Sequence, residues 1–108
     1  MHDEFHVATD CNHAGTFILT VSGELDAATR DRVTAAAATD TNGARECLID
    51  LSGVTFIDAS GISGLLNFQR HLRRRDATVT LVGVRPEIER VLRIAGVDDL
   101  LRYASQRR

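Results

Sequence analysis

The sequence predicts a single α/β domain over residues 1–108, with a mixed β-sheet and the element order β-β-α-β-α-β-α. Three observations support this fold class. The apolar positions switch repeatedly between the two-residue period of strands and the longer period of helices. Hydrophobic residues make up 44% of the chain and charged residues 26%, which is ordinary globular composition. The length suits one core, and residues 104–108 are expected to form a frayed tail.

The first two strands are expected to form an antiparallel hairpin. Apolar residues alternate with polar or small ones over residues 5–9 and, more regularly, over residues 16–22. The sequence Asn12-His13-Ala14-Gly15 between them is typical of a turn. Gly23 interrupts the second pattern, so we end that strand at Ser22.

The first helix is predicted over residues 27–38. Asp26 can cap its amino terminus, and the run of four alanines that ends at Ala38 favours a helix. Asn42-Gly43 then ends the segment as a turn or a helix C-cap. The next strand, residues 47–51, is largely apolar, a pattern typical of a central strand that is covered on both faces.

A second helix follows a loop that ends in Asp58-Ala59-Ser60-Gly61. Its buried stripe is predicted to consist of Ile62, Leu65, Leu66 and Leu72. Residues 78–83 are predicted as the next strand. Pro86 suits the first position of a third helix, and Gly96 ends that helix. A short apolar element follows around residues 97–101.

Charge and composition exclude several classes of function. The net charge is −2, so no overall field favours nucleic acid, and all 13 basic residues are arginines. Four of them, at positions 70, 73, 74 and 75, end the second helix, where cations commonly complement the helix dipole on a solvated face. We therefore expect no nucleic-acid partner.

The two cysteines and four histidines show no spacing typical of disulfides or metal ligands, and no cofactor motif is present. The acidic amino terminus lacks an apolar signal segment, and no apolar run is long enough to span a membrane. These features predict a cytoplasmic protein without cofactor, metal or membrane span.

Ser60 is the residue most suggestive of function, because it lies near the start of the second helix. Unpaired N–H groups and partial positive charge at a helix start tolerate added negative charge, which suits a phosphorylation switch. Serine at such a position more often caps the helix, and from the residues alone we favour this interpretation. Gly61 needs a reason in a first helical turn, and close approach of another backbone, such as a kinase active site, is one.

The neighbouring polar residues also have two interpretations each. Asp58 could orient the Ser60 hydroxyl or contact a partner, or it could cap the helix or form an Asx-turn. From the residues alone, Glu24 and Asp26 are interpreted as the end of a strand and a helix N-cap. Ser63 is a second candidate acceptor, although a plain solvent-facing serine is the commoner case.

Several segments in order along the chain resemble the STAS domain, the family of bacterial anti-sigma-factor antagonists. The resemblance covers nearly the whole chain. It rests on GELD at residues 23–26, LIDLSGV at 48–54, FIDASG at 56–61, GLL at 64–66 and LVGV at 81–84. No single segment is diagnostic, but their order and spacing together are fairly specific.

The resemblance implies a mixed sheet with helices mainly on one side and a protein that switches partners. In the family, the unphosphorylated antagonist binds an anti-sigma factor that is also a serine kinase. Phosphorylation of one serine inactivates the antagonist, and a serine phosphatase reverses this. That serine corresponds to Ser60, and Ala59 stands where the family often has a hydroxyl residue. The implied partner-binding residues are Glu24, Asp26, Asp58, Ala59, Ser60, Gly61 and Ser63.

Two other functions stay open at this point. The domain could be a STAS subunit of a larger assembly, such as a lipid-transport ATPase or a stress-signalling scaffold. A small hydrolase with Ser60 as nucleophile would need a nearby histidine, and the loop and first turn contain none. We expect a non-enzymatic regulator of transcription, and whether it forms a homodimer is left open.

Overall fold

The computed structural model describes residues 4–11, 15–37, 43–97 and 102–103. The elements of this part are β1 (His6–Cys11), β2 (Thr16–Leu25), α1 (Arg30–Ala37), β3 (Glu46–Ile57), α2 (Ala59–Arg73), β4 (Thr78–Val82), α3 (Pro86–Ile94) and β5 (Arg102–Tyr103). The predicted order β-β-α-β-α-β-α is confirmed, and a two-residue strand follows it. The predicted turn at residues 12–14, the helix end at Ala38, Asn42, residues 98–101 and the tail 104–108 lie outside the described residues.

The strands form one mixed sheet in the order β1-β2-β3-β4-β5. β1 pairs with β2 antiparallel, and the remaining neighbours pair parallel. Parallel neighbours need crossover connections, and α1, α2 and α3 supply them. In the part of the chain that the structure describes, no helix is long and apolar enough to cross a membrane.

One face of the sheet forms the core, as the family resemblance implies. In β2 the buried side chains are Phe17, Leu19, Val21 and Leu25, and their neighbours along the strand face the other side. The buried residues of the sheet and helices join in one hydrophobic cluster. The prediction that residues 47–51 are covered on both faces is wrong, because Cys47, Ile49 and Leu51 are fully buried while Leu48 and Asp50 are half-buried.

Strand β3 is much longer than predicted and ends at Ile57, where the sequence had indicated a loop. It carries two irregularities, since Thr20 and Ser22 pair with Asp50 and Gly53, and Gly23 and Glu24 pair with Val54 and Phe56. Each inserts one extra residue into β3, as a β-bulge does. Val54 and Ile57 therefore still face the core, although the two-residue alternation is broken.

Helix α1 starts later than predicted. Asp26 does not cap it directly but begins a turn, in which its Oδ1 accepts the Ala28 N–H at 3.0 Å. The Thr29 hydroxyl accepts the Asp26 N–H at 3.0 Å and lies 2.8 Å from the Glu24 carbonyl oxygen. These side chains satisfy backbone groups across residues 26–29, so the helix begins only at Arg30.

Helices α2 and α3 end in the same way. The Ala77 N–H bonds to the Leu72 carbonyl and the Asp76 N–H to the Arg73 carbonyl, and Asp76 has a φ of 61°. This is the Schellman arrangement, and α3 repeats it with Gly96 at a φ of 74°. The buried stripe of α2 includes Phe68, which the sequence analysis missed, whereas the predicted Leu66 is only half-buried.

Gly61 allows the start of α2 to pack directly against the end of β2. A Cβ atom at Gly61 would lie 2.1 Å from the Leu25 carbonyl oxygen and 2.9 Å from Ile57 Cγ1. The backbone whose close approach requires a glycine at this position is therefore that of Leu25 in the same chain, and not that of a kinase. Leu25 pairs with Ile57, and its carbonyl lies 3.4 Å from the Asp58 N–H, so the ends of β2 and β3 and the start of α2 form one packed unit.

We expect Gly61→Ala to destabilise the domain by about 3 kcal/mol, because the added methyl must displace the Leu25 backbone or α2. Ser63→Ala, on the same helix, is the matched control and should change stability by less than about 0.5 kcal/mol. Urea unfolding measures both. Equal midpoints for the two variants would contradict the close approach.

Burial raises the pKa of the Cys47 thiol from 9.0 to about 12, with a smaller contribution from the Glu46 carboxylate. In a Cys11→Ser background, Cys47 should therefore resist maleimide at pH 8 in the native state and react once the chain is unfolded. Stability should fall as pH rises above about 9, since the unfolded thiol then ionises while the folded thiol stays protonated. Rapid native labelling would show that the thiol is accessible.

Candidate functional site

The carboxyl ends of β2 and β3 bring together the two segments that the sequence analysis singled out. Glu24 pairs with Phe56 and Leu25 with Ile57, so the strands end side by side. The turn that starts at Asp26 therefore leaves the sheet next to Asp58 and the start of α2. In α/β sheets this edge is where binding sites usually form.

Asp58 is the N-cap of α2. Its backbone is extended, with a φ of −126° and a ψ of −171°, and its Oδ1 accepts the Gly61 N–H at 3.0 Å. Its carbonyl oxygen accepts the Ile62 N–H at 2.9 Å, which is the first hydrogen bond of the helix. The structural interpretation of Asp58 is thus confirmed, because its carboxylate satisfies one of the orphan donors at the helix start.

Ser60 is the second residue of α2 and does not cap the helix. The capping interpretation, which the residues alone favoured, is wrong because Asp58 occupies that position. Ser60 is half-buried and follows the exposed Ala59. With the Gly61 N–H taken by Asp58, the N–H groups of Ala59 and Ser60 are the helix donors that an added anion could meet.

The other predicted partner-binding residues differ in how much surface they offer. Glu24 is exposed, and Asp26 and Ser63 are half-buried. Gly61 is buried against the end of β2, so its role is to let α2 pack closely. Ser63 lies one helical turn after Ser60, on the adjoining part of the helix surface.

Phe56 is a surface residue of this region that the sequence analysis did not single out. Its exposure is 45%, which is large for an aromatic side chain, and it pairs in register with the exposed Glu24. Adjacent residues of parallel strands point to the same face of a sheet, so Phe56 and Glu24 are neighbours there. Phe56 stands in one of the segments that carry the family resemblance, but no pattern in the sequence marked its side chain as exposed.

The described residues around Ser60 include no histidine and no metal-binding cluster. Among the described residues, no group of three or more His, Cys, Asp and Glu side chains could hold a metal ion. The described histidines lie elsewhere, since His6 Nε2 is 3.7 Å from Glu4 Oε1 and His71 is in the last turn of α2. The site thus offers a hydroxyl, backbone donors and exposed acidic and aromatic side chains, which is the chemistry of a docking surface.

Comparison with known proteins agrees with this architecture. The chain is similar to an antisigma-factor antagonist STAS domain from Rhodobacter sphaeroides at 30% identity, with 73% of this chain and 86% of that chain covered and a TM-score of 0.62. It is similar to the anti-sigma factor antagonist SpoIIAA in its unphosphorylated form at 19% identity, with 94% and 90% covered and a TM-score of 0.74. The phosphorylated form of SpoIIAA, from Bacillus, matches at 18% identity over 94% and 93% with a TM-score of 0.68.

A larger protein also contains this fold. SLC26A9 matches 79% of this chain at 21% identity with a TM-score of 0.66, and the match covers 16% of SLC26A9. The family model of the STAS domain matches residues 9–107. Because this match spans nearly the whole sequence, the chain belongs to the STAS domain family.

Proposed function

We propose that this protein is an anti-sigma-factor antagonist that Ser60 phosphorylation switches off. In its unphosphorylated form it binds an anti-sigma factor with serine-kinase activity, and a serine phosphatase restores that form. The observation that carries the proposal is the position of Ser60, second in a helix whose cap is Asp58, at the edge where β2 and β3 end. The structures of SpoIIAA in both phosphorylation states support it by analogy.

The geometry around Ser60 suits a modification that leaves the fold intact. A phosphate adds about 1.5–2 negative charges at neutral pH. The open N–H groups of Ala59 and Ser60 and the helix dipole favour that charge, while the Asp58 carboxylate repels it. These effects oppose each other, so the domain should keep its structure.

The effect of phosphorylation should therefore appear in the complex. The surface around Ser60 already carries Glu24, Asp26 and Asp58, so a partner that binds it must present complementary positive charge or donors. Those partner groups are matched to the existing carboxylates, so an added dianion would lose its hydration without a partner group of its own and would crowd the carboxylates. A loss of about 3 kcal/mol would weaken binding roughly a hundredfold.

The proposed protein is cytoplasmic and non-enzymatic. The Ser60 hydroxyl is the acceptor of a phosphoryl group from the partner kinase. Ala59 replaces the neighbouring hydroxyl that many relatives carry, so a single serine receives the phosphate.

The second candidate is a STAS subunit of a larger assembly, such as a transport ATPase or a signalling scaffold. The similarity to a 16% portion of SLC26A9 favours it, because there the fold is one part of a large protein. Such a protein would stay bound to its assembly whatever the state of Ser60.

Incubation with ATP and each anti-sigma-factor kinase of the same genome should add one phosphate to the wild-type protein and none to Ser60→Ala. Ser60→Asp should bind the same kinase roughly a hundredfold more weakly than the wild type, because a carboxylate stands where the phosphate would. Intact-mass spectrometry and calorimetry measure these results. Ser63→Ala removes the second candidate acceptor and should still gain one phosphate, which site mapping should place on Ser60.

Stable binding without phosphorylation would instead indicate an antagonist that is always active. If no anti-sigma factor binds or modifies the protein, the proposal fails and the assembly subunit becomes the better candidate.

Phe56→Ala should weaken binding to the anti-sigma factor about tenfold or more, since exposed aromatic residues next to a docking site commonly act as anchors. Ile94→Ala removes an even more exposed apolar side chain, at 79%, from the last residue of α3 and should leave affinity unchanged. Calorimetric titration of both variants gives the comparison. Equal affinities of the two variants for the anti-sigma factor would show that Phe56 lies outside the interface.

A further inference from the structure

The carboxyl-terminal half of α2 carries a concave surface that the proposed switch does not use. Within the described residues it is lined by Leu66, Gln69, Arg70, Arg73 and Arg74, and we call it the arginine groove. These positions recur at helical spacing, so they share one stripe of α2. Leu66 is half-buried and packs on the core, whereas the three arginines are exposed. The groove therefore combines an apolar floor with a cationic rim.

No carboxylate of the described residues neutralises the charges of this rim. Among the described residues, none of the three arginines has an ion pair within 4.0 Å, and Arg70 donates only to the Asn67 side-chain oxygen at 3.0 Å. By contrast, Arg93 on α3 bonds to Glu89 at 2.6 Å. The i,i+3 and i,i+4 spacings place Arg70 beside both other arginines, and each like-charge pair costs about 0.2–0.5 kcal/mol. An external anion would relieve this repulsion.

We propose that the arginine groove binds an acidic peptide segment of a partner protein, one that alternates carboxylates with an apolar side chain. Guanidinium groups present planar donor pairs that match carboxylates in two-point hydrogen bonds. The Leu66 floor can receive an aliphatic side chain between those contacts. The helix dipole accounts for a cation in the last turn of α2, but it does not call for three of them around an apolar depression.

A nucleic acid fits the groove less well. Among its described lining residues there is no aromatic side chain on which a base could stack. The net charge of −2 and the acidic surface at the start of α2 disfavour a long polyanion that would extend beyond the groove. A short acidic segment meets only the arginines.

The groove is also separate from Ser60. Its lining residues follow Ser60 by six to fourteen positions along the helix, which corresponds to about 9–21 Å at 1.5 Å per residue. Beyond the groove, a second depression is lined by Arg45, Arg75 and the carboxylate of Asp76, so the surface at the helix end carries both signs of charge. A partner could therefore occupy the groove whatever the phosphorylation state of Ser60.

The test is fluorescence anisotropy with a labelled peptide of alternating glutamate and leucine, at about 50 mM and about 300 mM salt. The wild-type protein should bind the peptide with an affinity that falls with salt. Arg73→Glu and Arg74→Glu should each weaken binding about tenfold or more. Arg90→Glu, which changes the same charge on α3, is the matched control and should stay close to the wild type. Circular dichroism checks that each variant is folded.

None of these measurements involves a sigma factor, so they test the arginine groove independently of the proposed function. A peptide in which glutamine replaces glutamate should not bind, and an oligothymidylate of equal charge should bind more weakly than the acidic peptide. Equal losses of peptide affinity in Arg73→Glu and Arg90→Glu would show that only net charge matters, and would overturn the proposed binding site. Tighter binding of the oligothymidylate would overturn the choice of an acidic peptide, and so would the absence of any peptide binding.

Discussion

The contact between Gly61 and the Leu25 carbonyl is the constraint on which the functional end of this domain depends. It brings α2 against the end of β2 at a distance that no side chain permits. The pairing of Leu25 with Ile57 then aligns β3 with the same edge. Glu24, Asp58 and Ser60 become neighbours through these backbone contacts rather than through contacts among their own side chains, so the surface is built on rigid elements.

The roles of Asp58 and Ser60 follow from which of them caps the helix. Because the Asp58 carboxylate bonds to the Gly61 N–H, the cap does not require the hydroxyl of Ser60. Modification of Ser60 therefore leaves the helix start intact, whereas a capping serine would lose a structural bond on phosphorylation. Under the proposed function, these separate roles would keep folding independent of regulation.

Local patterns predicted the element order and the start of α2, because hydrophobic periodicity and turn residues act over short distances. These patterns failed where the structure depends on contacts between segments that are distant in the sequence. The bulges that let Val54 and Ile57 face the core break the strand alternation, so β3 was predicted too short. The side-chain hydrogen bonds of the turn before α1 satisfy backbone groups there, so the helix starts later than predicted. For the site, the family resemblance indicated Ser60, but the exposure of Phe56 depends on where β3 ends relative to the core and could not be read from the chain.

The strand order of the sheet has a consequence for how the chain folds. Each strand pairs with the strand that precedes it in the sequence, from β1 to β5, so no strand waits for a distant segment. The parallel pairings of β2 with β3 and of β3 with β4 still join residues about 30 positions apart, as Thr16 with Glu46 and Glu46 with Thr78 do, so the sheet is expected to form more slowly than local structure. During synthesis, the hairpin, α1, β3 and α2 can assemble before β4 has emerged. The surface around Ser60 can thus form early, on a nascent chain that still lacks its last elements.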